Sequence, residues 1–89
     1  MIPSVGDYVR VNVWNGVVRA VFRVEGAPDN PFVEIEFVKN IFKGQPSETH
    51  RWLDLAPHTA TVSWQALLNE IVTTQERMQI RFDALGVPE

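Results

Sequence analysis

Trp14-Asn15-Gly16-Val17 lies between two valine-rich runs, and no other four residues constrain the chain as much. Asn-Gly between β-forming runs predicts a two-residue type I′ hairpin turn, because both central positions of that turn need positive φ. The turn sets a register in which Val13 faces Val18, Val11 faces Ala20 and Val9 faces Phe22 on one side. Trp14 with Val17, Asn12 with Arg19, Arg10 with Val21 and Tyr8 with Arg23 fall on the other. A slip of one residue would exchange the faces and remove the apolar one.

The same period of two continues downstream. In Phe32-Val33-Glu34-Ile35-Glu36-Phe37-Val38, the residues Val33, Ile35 and Phe37 point one way while Glu34 and Glu36 point the other. This predicts a half-buried antiparallel strand over 32–38. Gly26-Ala27-Pro28-Asp29-Asn30-Pro31 before it reads as a loop, as does Lys43-Gly44-Gln45-Pro46-Ser47 after it. A fourth strand is expected over Glu48 to Leu55, with His50, Trp52 and Asp54 on one face and Arg51, Leu53 and Leu55 on the other. Ala56-Pro57-His58 ends it, and Thr59 to Val62 forms a short fifth strand.

The period then changes to that of a helix. Ser63 is placed to cap it, and Trp64, Leu68, Ile71, Gln75, Met78, Phe82 and Leu85 follow a four-three spacing along one face. Gly86 suits the position after the last turn, and Pro88 follows it. From Trp64 to Leu85 a helix is about 33 Å long, whereas a small five-stranded body is roughly 20–25 Å across. The seam should therefore overhang, and its outer part, Ile71, Gln75, Met78, Phe82 and Leu85, is expected to pack on a second copy about a twofold axis. Gln75 would set the register there, as a polar residue does in a coiled-coil seam.

The chain has 89 residues, enough for one domain, read as a β part over 5–62 and a helical part over 63–86. Its 45% hydrophobic content and nine aromatics supply a core. There is no cysteine, so neither a disulfide framework nor thiolate chemistry is available, and a reducing cytoplasm is the expected location. Residues 1–7 carry no basic and apolar leader, and no apolar run approaches the ~20 residues that span a bilayer. Net charge is −3 and there are only two lysines, Lys39 and Lys43, which argues against non-specific coating of nucleic acid or anionic membrane.

Val5-Gly6-Asp7-Tyr8-Val9-Arg10-Val11, followed by a hairpin and three more short strands, resembles an SH3-like small barrel of the Tudor and KOW type. The resemblance covers residues 5–62 and implies a barrel or strongly curled sheet of four to five strands with the long helix docked on it. The chain is also similar in style to the short orphan proteins of bacterial mobile gene cassettes. Tudor-type barrels hold methylated cations in an aromatic cage. The resemblance would place that cage at Tyr8, Trp14 and Phe42, assisted by Glu34 or Glu36.

The residues by themselves also mark the outer face of the first hairpin as a ligand surface. Tyr8, Trp14, Val17 and Val21 interleave there with Arg10, Arg19 and Arg23. Such a face suits a peptide or a single strand whose bases stack on rings, and equally it could lie beneath the C-terminal helix. The ligand-contacting set is Tyr8, Trp14, Arg19, Arg23, Phe42 and Trp52. His50 and His58 flank Asp54 without metal-ligand spacing, and no nucleophile elbow or phosphate loop is present. The reading is a homodimeric interaction module that binds a protein or small ligand without metal or cofactor. Two alternatives stand beside it: a minimal enzyme with its site at an oligomer axis, and a nucleic-acid-binding regulator acting through Arg10, Arg19 and Arg23.

Overall fold

The computed structural model describes residues 1–84, with side chains through Met78. Five antiparallel strands form one sheet in the order β4-β3-β2-β1-β5. They are β1 (Tyr8–Val11), β2 (Trp14–Val24), β3 (Ala27–Phe37), β4 (Glu48–Arg51) and β5 (Thr59–Thr61). Helix α1 (Val38–Lys43) follows β3, α2 (Trp52–Leu55) and a 3-10 turn (Ala56–His58) join β4 to β5, and α3 (Trp64–Ala84) closes the chain. The sheet is open, with β4 and β5 as its edges.

The first hairpin exists, but its turn is not Asn15-Gly16. Val11 pairs with Trp14 and Val9 with Gly16, so the turn is Asn12-Val13 and every pairing predicted above shifts. Of these two residues only Asn12 takes positive φ (+56°), which excludes a type I′ turn. Gly16 serves another need. A Cβ there would stand 2.7 Å from both the Glu36 carbonyl oxygen and Ile35 Cγ2, so β3 can approach only a glycine.

Strand β3 begins five residues earlier than its alternation predicts. Val24 pairs with Ala27 and Phe22 with Phe32, so residues 28–31 bulge out opposite one residue of β2. Both prolines of the supposed loop sit in that bulge, where a missing N–H breaks no ladder bond. Asn30 within it accepts from Arg51 Nε at 3.0 Å and, through its side chain, from Leu53 N–H at 2.9 Å.

Val38 starts a helix and does not end a strand. Gly44 (φ +66°) caps α1: its N–H meets the Ile41 carbonyl at 3.2 Å, and the Gln45 N–H meets that of Asn40 at 2.8 Å. The predicted fourth strand likewise stops at Arg51. One helical turn then puts Trp52 and Leu55 on the same side, both buried, so His50, Trp52 and Asp54 do not share a strand face.

Val9, Val11, Val18, Val33, Ile35 and Phe37 form the core on one face of the sheet, closed by Trp52 and Leu55. The first half of α3 meets the hairpin, Trp64 at Tyr8 and Glu70 at Asn15, and the helix also packs on α1. Ser63 caps α3 as expected, its Oγ accepting from the Ala66 N–H at 3.2 Å. Its most buried residue is Leu67, one position away from the predicted seam, while Gln75 is exposed and Met78 is 37% exposed. Phe82 and Leu85, and the Gly86-Pro88 stop, lie outside the residues whose side chains are described. No helix among the described residues is long and apolar enough to cross a membrane.

Candidate functional site

Two clefts run along the side of α3 and share Trp14, Thr74 and Arg77. The first, of about 400 Å³, lies between α1 and α3 and is lined by Trp14, Phe42, Met78 and Thr74 with the cations Lys39, Lys43 and Arg77. The second, of about 420 Å³, continues past Trp14 toward Arg10, with Asn15, Asn69 and Thr73 on its walls.

Each side chain arrives for a local reason. Trp14 is the first residue after the hairpin turn, and it remains 42% exposed. Lys39 and Lys43 stand four apart on α1, which places them on one face of that helix. The Lys39 ammonium lies 5.0 Å over the Trp14 ring and 5.5 Å from that of Phe37, a cation–π arrangement.

Lys39 is held from behind by a carboxylate. Glu48 Oε2 is 3.5 Å from Lys39 Nζ and accepts from Asn40 Nδ2 at 2.7 Å, while Glu48 Oε1 lies 3.0 Å from His50 Nε2. Donation from Asn40, then from His50, with the nearby Lys39 charge, holds the Glu48 carboxyl below its ordinary pKa despite partial burial.

The second cleft has a buried polar floor. Glu70 Oε1 accepts from both the main-chain N–H and the side-chain amide of Asn15, at 3.0 and 2.9 Å. Arg10 Nε donates to Asn15 Oδ1 at 3.0 Å. Glu70 Oε2 is buried without a partner among the described residues. This network clamps α3 onto the hairpin.

Of the six residues expected to contact ligand, Trp14 and Phe42 meet at the first cleft. Tyr8 is turned to Trp64, ring centroids 5.5 Å apart. Arg19 is paired with Glu36 at 2.6 Å, and Arg23 is exposed farther along β2. Trp52 is 7% exposed and belongs to the core. An aromatic cage at Tyr8, Trp14 and Phe42 is not assembled: Glu34 accepts from Ser47 Oγ, Glu36 binds Arg19, and Lys39 already covers Trp14. Among the described residues no group of three His, Asp or Glu side chains is placed to hold a metal ion.

Sequence reasoning missed Lys39, Lys43 and Arg77 as neighbours. Gly44 followed by Pro46 was the available signal, since a glycine cap predicts a helix before it and a helix puts both lysines on one side. No family, no curated protein and no solved structure matches this chain.

Proposed function

We propose that the protein is an interaction module that binds an anionic partner along the Trp14 clefts. One observation carries this reading. The chain has a net charge of −3, yet Arg10, Lys39, Lys43 and Arg77, half of its eight basic residues, line these two adjoining clefts against one carboxylate, Glu70. Such segregation raises the local concentration of an anion against the sign of the whole molecule. Trp14, Phe42 and Met78 add an apolar surface to the positive one. The return of the last strand beside the first is compatible with an SH3-like reading of the scaffold, although β4 and β5 do not pair to close a barrel.

Titration of the labelled protein with polyglutamate, followed by NMR, tests the site. Shifts should cluster at Trp14, Phe42 and Lys43 and fade with added salt. Shifts scattered over the surface, or none, would refute it.

Self-association is a second reading, favoured by shape. The molecule measures 56 × 23 × 19 Å, and the 21-residue α3 is about 32 Å long. Val72 on that helix is exposed. Packing of α3 on a second copy would cover it. Light scattering after size exclusion decides this, and a monomer at high concentration removes the idea.

A further inference from the structure

Resting on the Trp14 clefts as the binding surface, we infer that their occupant is an extended acidic peptide of a protein partner. Its apolar side chain seats among Trp14, Phe42 and Met78, and its flanking carboxylates meet Lys43 and Arg77. The first cleft, about 400 Å³, is at the small end of ligand pockets, which run to roughly 300–1,000 Å³. It has room for an anchoring side chain. No carboxylate lines it, and neither Lys43 nor Arg77 has an ion-pair partner among the described residues.

The second cleft favours peptide backbone as the continuation. Asn69, Thr73 and Thr74 line it with amides and hydroxyls, which both donate and accept as a main chain requires, and the carboxylate on its floor, Glu70, suits a peptide N–H and not a peptide carboxylate. Arg10 stands at its far end and offers a further carboxylate contact.

Single-stranded nucleic acid is also anionic but fits the groove less well. It binds by stacking successive bases on successive rings. Here Trp14 is the ring common to both clefts, and the Lys39 ammonium lies 5.0 Å above it. A stacked base would have to displace that cation from both the ring and Glu48. An aliphatic or aromatic side chain can leave Lys39 in place, packing on Phe42, Met78 and the part of Trp14 that stays exposed.

Calorimetric titration of the whole chain with three probes tests the inference. They are a short peptide with phenylalanine between pairs of glutamates, the same peptide with serine at its centre, and a thymidine oligonucleotide of equal charge. The phenylalanine peptide should bind, and the serine version should bind about tenfold or more weakly, as loss of a buried aromatic requires. Lys43→Glu should weaken the first peptide at least about fivefold, less so at high salt. Phe42→Ala should weaken it too, and if that variant fails to fold, Lys43→Glu alone carries the test.

Oligonucleotide binding as tight as the peptide's, and sensitive to Lys43→Glu, overturns the peptide inference while leaving the clefts an anion site. So does equal binding of the two peptides. Absence of binding by every probe, or peptide binding indifferent to Lys43→Glu, overturns the site and the inference together.

Discussion

Asn15 and Glu70, fifty-five positions apart, are joined by two hydrogen bonds to a single carboxylate oxygen, at 3.0 Å from the main-chain N–H and 2.9 Å from the side-chain amide. Asn15 is only 3% exposed, so these bonds replace water that cannot reach it. They hold α3 against the hairpin and so set the walls of the second cleft.

Breaking this clamp should be costly. Glu70→Ala leaves a buried N–H and a buried amide without an acceptor, and each such loss costs about 1–3 kcal/mol. Urea denaturation should place Glu70→Ala lower than wild type by at least the smaller of these values. Wild-type stability in the variant would mean that water replaces Glu70 at no cost.

The register of the hairpin makes a second prediction. Gly16→Ala forces a methyl group to within 2.7 Å of β3 and should destabilise by about 1–3 kcal/mol, as overpacking does. Asn12→Gly should be neutral or stabilising, because Asn12 is the residue at φ +56°. A Gly16→Ala variant as stable as wild type, measured by thermal melts, would overturn the close approach of β3, and a destabilised Asn12→Gly would overturn the turn at Asn12-Val13.

The two tryptophans Trp14 and Trp52 should behave oppositely. Trp52→Ala empties part of the core and should cost about 3–5 kcal/mol. Trp14→Ala removes a half-exposed ring and should cost under ~1 kcal/mol while abolishing ligand binding. A Trp14→Ala variant that unfolds would make this ring structural.

Glu48 ties stability to pH. Its folded pKa lies below the ordinary 4.5, so its contribution is fully present above that value and is lost as pH falls through the folded pKa. Glu48→Gln should destabilise by roughly 0.5–1.5 kcal/mol near neutrality. The gap between variant and wild type should close on acidification below pH 4.5, read from urea midpoints along a pH series. A gap that stays constant across the series would remove Glu48 from the account.

Periodicity was informative wherever a segment buries one face. Val33, Ile35 and Phe37 are core residues as their alternation predicts, and Ser63 begins the long helix. It misled where local chemistry and tertiary contact compete. Asn-Gly is the favoured pair for a tight turn, but Asn15 is more useful as a donor to Glu70 and Gly16 as a gap for β3. The alternation of Glu48 to Leu55 fits a strand, yet the chain turns into a helix at Trp52, and Trp52 and Leu55 are both buried in the core. Of the candidate site, Trp14 and Phe42 were legible as an aromatic pair; their basic neighbours come from α1 and α3 and were not.

The order of residues alone determined that the chain is mainly β with a terminal helix, because hydrophobic period is a local property that each segment carries with it. Tertiary structure decided which face each element shows to the others: the hairpin register, the bulge at residues 28–31 and the meeting of Lys39, Lys43 and Arg77 around Trp14. Those depend on contacts between residues tens of positions apart. One wall of the second cleft is set where Glu70 meets Asn15 across that distance.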